Sequence, residues 1–310
     1  MTVKPILVTG SPRSGTTWVG RMLAVSPQLY YVHEPFNPDY GPGRGICNIN
    51  FTHHQTYITK ENQKKYYKPI RQMLEGRYNI FAGIRDSKLE KKNLIHVWHK
   101  KKEFAEYRKK NMVPLIKDPI AAMSAGWLGR QFNINTIVMI RHPAAFVASM
   151  KRLNWTFRPS KWVLNQPLLI RDYLSPFGEE IKNLTDSKYD IIDRTALMWK
   201  IIYFVVLKYQ QTFKDWVYLR HEDISLDPLA HFEKLYKRFN LDFTDETQEQ
   251  ILIHSNVSNP THANGVDQLL KLNSKNVIYN WKSVLSGGEI KRIKDRVDEV
   301  SRHFYSARDW

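Results

Sequence analysis

The 310 residues predict an α/β protein, a parallel sheet flanked by helices on both faces. Three observations carry this. Short, almost wholly apolar runs recur at Ile6–Val8, Val113–Ile116 and Thr136–Ile140. Runs of that length without polar alternation suit strands buried on both sides. Stretches of helical spacing separate them, and a crossover between parallel strands requires such a stretch. Charged residues, Gly or Pro then punctuate the strand ends, as turns and helix starts demand.

Ile6–Val8 is the first strand. Thr16–Val25 follows as a helix with Val19, Met22 and Leu23 at core-facing spacing, and Pro27 closes it. Leu29–Val32 is a second strand, ending at His33-Glu34-Pro35. Residues 37–56, rich in Gly, Pro, Asn and His, read as a long functional loop. Residues 60–110 mix helical pattern with the basic runs Lys100–Lys102 and Arg108–Lys110. Val113–Ile116 is a strand ending at Lys117-Asp118-Pro119, with a helix to about Gln131. Thr136–Ile140 ends at Arg141-His142-Pro143, whose proline suits the first turn of the next helix. Residues 154–190 resemble a lid or insertion. Arg194–Phe213 is a long helix, Trp216–Leu219 a strand before Arg220, and Asp227-Pro228 opens a helix to about Phe239. Residues 255–282 are loop-like, and a last helix spans roughly Gly288–Phe304. The chain reads as one domain over 1–310, with insertions at about 37–110 and 154–190. Right-handed crossovers put every strand's C-terminal end on one edge, where ligands of such sheets bind. Arg13, Glu34, Lys117, Arg141 and Arg220 all follow strands and are expected to converge there.

Composition narrows the chemistry. Hydrophobic residues make up 42% of the chain, enough for a large core, and the net charge of +17 favours an anionic partner. The single cysteine, Cys47, permits no intrachain disulfide. Residues 1–5 run directly into the first strand, so no signal peptide is expected. The longest apolar run, Ile201–Leu207, is far short of the roughly twenty residues of a spanning helix. A cytoplasmic protein without a transmembrane segment is expected. No His, Cys and carboxylate cluster has metal-ligand spacing, so no metal is expected; His53-His54 reads as polar loop.

The most informative segment is Ile6-Leu-Val-Thr-Gly-Ser-Pro-Arg-Ser-Gly-Thr-Thr-Trp18. Strand, Gly/Ser turn and helix start aim backbone N–H groups and a helix N-terminus at one point, an arrangement that grips phosphate. Gly10, Gly15 and Thr17 keep the frame of the nucleotide-triphosphatase loop, but Thr16 stands where its lysine belongs and the cation is Arg13. A small-molecule kinase would need that lysine. A basic nucleic-acid-binding protein, suggested by charge alone, would need aromatic platforms among the basic residues.

Pro12-Arg-Ser-Gly-Thr-Thr-Trp18 resembles the 5′-phosphosulfate loop of sulfotransferases that use 3′-phosphoadenosine 5′-phosphosulfate, PAPS. The resemblance implies that Pro12, Arg13, Ser14, Gly15, Thr16, Thr17 and Trp18 bind that nucleotide. Arg141 and Ser149, eight residues apart after a strand, are similar to the family's 3′-phosphate site. Val217-Tyr-Leu-Arg-His-Glu-Asp-Ile224 resembles a segment beside the adenine, with His221 in the usual tyrosine position; Glu222 and Asp223 there are structural or functional alike. Asn273–Lys282 is similar to the late loop over the 3′-phosphate, where Trp281 aligns Ser274, Lys275 and Asn276, and only Lys275 is charged. The cytosolic branch has a His base two residues after a strand-end lysine, and here Lys117-Asp118-Pro119 lacks it. The pattern is nearer the bacterial and Golgi carbohydrate-type and tyrosylprotein-type branches. It implies Glu34 as the general base, with His33 and Asp118 as alternatives, and Arg13 and Lys117 as stabilisers of developing charge. The implied reaction is in-line sulfuryl transfer to a hydroxyl, or an amine, of a saccharide or polyhydroxylated small molecule. A natural-product or tyrosyl acceptor is the alternative. No nucleic-acid partner is expected, and the oligomeric state is left open. A solvated face accounts for the basic runs of 60–110; recruitment of an anionic acceptor is the other reading.

Overall fold

The computed structural model describes residues 3–40, 45–87, 90–155, 158, 160–184, 189–261 and 271–310. Strand β1 (Ile6–Gly10) leads through a tight loop into α1 (Thr16–Leu23), and β2 (Leu29–His33) follows. A largely irregular stretch then reaches α2 (Lys64–Leu74), α3 (Ile80–Asp86) and α4 (Lys91–Lys109). Next come β3 (Val113–Lys117), α5 (Ala125–Phe132), β4 (Asn135–Ile140) and α6 (Pro143–Arg152). Short helical pieces, including α7 (Pro167–Leu169) and α8 (Gly178–Asn183), precede the long α9 (Ile191–Thr212). The remainder is β5 (Val217–Arg220), α10 (His221–Leu226), α11 (Pro228–Phe239), α12 (Asp245–Ser255), α13 (Ser274–Val277), α14 (Trp281–Val284) and α15 (Gly287–Ser301).

The five strands are parallel, in the order β2-β3-β1-β4-β5. The expected architecture is the observed one. Strand side chains alternate between two cores. Leu7, Val32, Ile116, Val138 and Ile140 face α5, α6, α9 and α15. Ile6, Val8, Leu115, Ile137 and Met139 face α1, α11 and α12. Burial on both faces explains why the strands read as continuous apolar runs. Chain order changes side of β1 between β3 and β4, so the switch point, where sheets of this kind take up ligands, lies at the C-terminal end of β1.

Several boundaries differ from the sequence reading for local reasons. Asp118 caps a 3₁₀ turn, Pro119–Ser124, so the α-helix expected directly after Lys117 starts only at Ala125. Asp190 accepts from the N–H groups of Ile192 and Asp193 and starts α9 three residues early. The segment 255–282 holds two short helices, while 262–270 lies outside the described residues. Among the described residues no helix is long and apolar enough to cross a membrane.

Candidate active site

Register places the candidate residues in a row along one sheet edge. His33 pairs with Lys117 across β2 and β3, Val8 with Lys117 across β3 and β1, and Gly10 with Met139 across β1 and β4. Glu34, Lys117, the loop after β1 and Arg141 therefore follow one another on consecutive strands. At about 4.8 Å per strand the row spans on the order of 14 Å.

The loop after β1 is held from beneath. Ser14 donates through both its N–H (3.2 Å) and its hydroxyl (2.6 Å) to the Ser11 carbonyl. The Ser11 and Tyr203 hydroxyls share a hydrogen bond of 2.9 Å. Gly15, at φ +89°, has no room for a side chain, because a Cβ there would lie 2.4 Å from the His221 ring. Thr16 and Thr17 then begin α1, and Trp18 packs edge-on against Phe232 and His221. Burial, with the charge of Arg141, pushes the His221 imidazole down to about 3, so it is neutral beneath the loop.

Arg13 and Arg141 meet at this point. Arg13 Nε donates to Ser149 Oγ (3.1 Å), and Arg141 Nη1 donates to the Arg13 carbonyl. Burial, then the neighbouring Arg141 and Arg152 charges, push the Arg13 guanidinium down to about 10. Arg141 Nε is buried without a hydrogen-bond partner. Clustered guanidinium groups with unused donors beside a helix N-terminus suit a multiply charged anion.

The backbone of Arg141 is clamped on every side. Its N–H donates to Tyr203 Oη (3.1 Å), and its carbonyl accepts from Trp199 Nε1 (2.8 Å). The next N–H, of His142, donates to Glu222 Oε1 (3.0 Å), and Tyr305 Oη donates to Glu222 Oε2 (2.9 Å). The His142 ring stacks on Trp281 and meets Trp310 edge-on at 4.5 Å. Residues 305–310 thus form a C-terminal brace behind Arg141. Arg220, expected at the shared edge, instead pairs with Asp309 (2.8 Å) and lies over the Tyr305 ring. It belongs to the brace, so four of the five expected charges line the edge. The sequence offered no signal for Tyr305 or Asp309, and Tyr203 read only as buried helix.

At the other end of the row, Lys117 Nζ donates to Glu34 Oε1 at 2.5 Å, with the lysine side chain 1% exposed and the glutamate 16%. Burial lifts the Glu34 carboxyl, but the Lys117 charge and hydrogen bond outweigh it and hold the group below its ordinary value. Burial lowers the Lys117 ammonium, and Glu34 opposes this. The lysine stem lies against α1, where a Cβ at Gly20 would come within 3.1 Å of Lys117 Cβ. Arg13 and Glu34 both adopt positive φ, +65° and +43°. For such residues this costs about 1–3 kcal/mol, and strain of this kind collects at functional sites. His33 is more exposed, its Nε2 4.0 Å from Glu34 Oε1. Asp118 is fully buried, and its two carboxylate oxygens accept the N–H groups of Phe36 (2.7 Å) and Ile120 (2.9 Å). Burial raises it to about 7 despite these bonds. Both oxygens serve the backbone, so Asp118 holds the Glu34 loop rather than facing the crevice. Lys275 is exposed on α13, and no contact among the described residues joins it to Arg13, Arg141 or Ser149.

A parallel α/β sheet with a Gly/Ser loop after its central strand and a buried carboxylate–lysine pair beside it carries the kinds of group that transfer chemistry at such a sheet edge uses. The chain belongs to the sulfotransferase family, whose model matches residues 5–245. No curated protein sequence matches it. Among solved structures, the sulfotransferase domain from the curacin biosynthetic pathway is 15% identical, with 96% of this chain and 98% of that one covered and a TM-score of 0.48. Sulfotransferase STF9 from Mycobacterium avium is 14% identical, over 98% of this chain and 78% of that one, with a TM-score of 0.45. Mouse sulfotransferase SULT7A1 complexed with PAP is 11% identical, over 98% and 86%, with a TM-score of 0.45.

Proposed function

We propose that the protein transfers the sulfuryl group of PAPS to a hydroxyl of a saccharide or other polyhydroxylated acceptor, with Glu34 as general base. The supporting observation is the meeting of Arg13, Ser149 and Arg141 in one cluster, beside a loop that presents backbone donors. In this reading the loop from Pro12 to Trp18 holds the 5′ end of the nucleotide, and Arg141 with Ser149 its 3′-phosphate. Bound PAPS supplies an activated sulfuryl group and a stable leaving phosphate.

Glu34 takes the acceptor's hydroxyl proton, which requires it to be ionised, and its pairing with Lys117 keeps it so. Arg13 and Lys117 place positive charge at the oxygens where negative charge develops. Each such preorganised donor is worth about 3 kcal/mol of barrier. As Lys117 turns toward those oxygens it loosens its hold on Glu34, which makes the carboxylate more basic when the proton must move. Lys275 lies close in sequence to the residues 262–270 and is retained as a further contact to the nucleotide.

Two measurements test the reading. Adenosine 3′,5′-bisphosphate should raise the thermal midpoint without magnesium; at a hundred times Kd the stabilisation is about 2.7 kcal/mol. A mass-spectrometric acceptor screen with PAPS should show an added sulfuryl mass. Absence of any midpoint shift with the bisphosphate would remove the proposal.

A further inference from the structure

Helix α4 has one face in the protein and one exposed face. Val97 and Phe104 pack inward, and Tyr107 stacks on Tyr30 of β2 at 4.7 Å. On the opposite side Ile95, Trp98, Lys102, Glu106 and Lys109 fall on one stripe at helical spacing. Ile95 and Trp98 are 50% and 52% exposed. Lys101 Nζ lies 5.0 Å from the Trp98 ring centre, and Lys101, Lys102, Lys109 and Lys110 are all exposed. Helix α3 crosses α4 with Gly83 against Val97. Residues 90–110 carry eight basic side chains against three acidic ones.

We propose that this face of α4 docks on an anionic lipid surface. Apolar side chains beside lysines are the signature of a helix lying in a bilayer interface, the rings entering the headgroup boundary while the ammonium groups meet lipid phosphates. Two other occupants fit less well. A second copy of the chain on a two-fold axis would set lysine stripes against one another. A soluble polyanion would pair the lysines but leave Ile95 and Trp98 in water. The inference does not depend on the reaction proposed above, since none of these residues belongs to the crevice.

Co-sedimentation of the full chain with vesicles tests it. The protein should pellet with 3:1 phosphatidylcholine–phosphatidylserine vesicles at moderate salt and not with phosphatidylcholine alone. Ile95→Ala with Trp98→Ala should lower partitioning about tenfold. Lys102→Gln with Lys109→Gln should lower it about twenty-fivefold, near fivefold per lysine. All four positions are exposed, so an unchanged thermal midpoint in each variant certifies the fold. Three results would each overturn the proposal: no phosphatidylserine-dependent pelleting; binding to heparin but not vesicles, unaffected by Trp98→Ala; or a concentration-dependent dimer abolished by Ile95→Ala.

Discussion

Glu34 is the residue at which charge, burial and chemistry are most tightly bound together. Its pKa is depressed, so the base form persists until pH falls through that lowered value. Turnover should therefore stay level from neutrality to below the ordinary carboxylate range of about 4.3, whereas activity resting on a histidine base would be lost around the ordinary imidazole value of about 6.5. A pH profile of kcat/KM separates the two. The same depression means that the pair's contribution to stability is present above the unfolded pKa and is lost as pH drops through the folded one. Glu34→Gln should lower kcat by on the order of a hundredfold or more with bisphosphate affinity kept. It also strands a buried ammonium, at a cost of about 3–5 kcal/mol. Adding Lys117→Met should recover stability in a melt but no activity, because an apolar stem restores packing and not proton transfer. The role of Lys117 as a cation after a strand was legible from its position. Its burial against Gly20 was not, since that contact joins distant parts of the chain.

Among the elements, the loop joining β1 to α1 was the most legible, because a tight strand-to-helix turn fixes its residue types locally, as Gly15 at positive φ shows. Gly15→Ala should disable it: the added methyl collides with His221 in a backbone region costly for alanine. The expected readout is loss of the bisphosphate-induced midpoint shift, with destabilisation of about 1–3 kcal/mol. Ser149→Ala tests the neighbouring α6. If the 3′-phosphate sits there, affinity for the bisphosphate should fall about tenfold and affinity for adenosine 5′-phosphate should not change. Strand ends were read within a residue or two, since apolar runs and the turns that stop them are local signals. Arg220 was misplaced for the opposite reason. Its partner, Asp309, lies 89 positions away, and no periodicity announces such a pairing. The helix α10 was missed because Arg220-His221-Glu222-Asp223 carries a strand end and a helix start with no residue between them.

For the molecule as a whole, sheet order decides what can meet. With β1 in the middle, cations from three strands gather over one crevice, and the carboxylate of the edge strand β2 reaches them only through Lys117 on β3. Parallel topology was inferable because helices alternate with strands; the order of strands was not, because it depends on which crossovers pass to which side. The brace is the clearest case of whole-molecule organisation. Glu222 joins the backbone next to Arg141 to Tyr305, so whatever steadies Arg141 also steadies residues 305–310. The peptide bond after exposed Arg302 is open to trypsin, and a cut there would separate those residues from the body of the protein. If Arg141 binds the nucleotide, the nucleotide should slow that cut, so that binding is recorded in the digestion pattern of a segment far along the chain from the loop after β1.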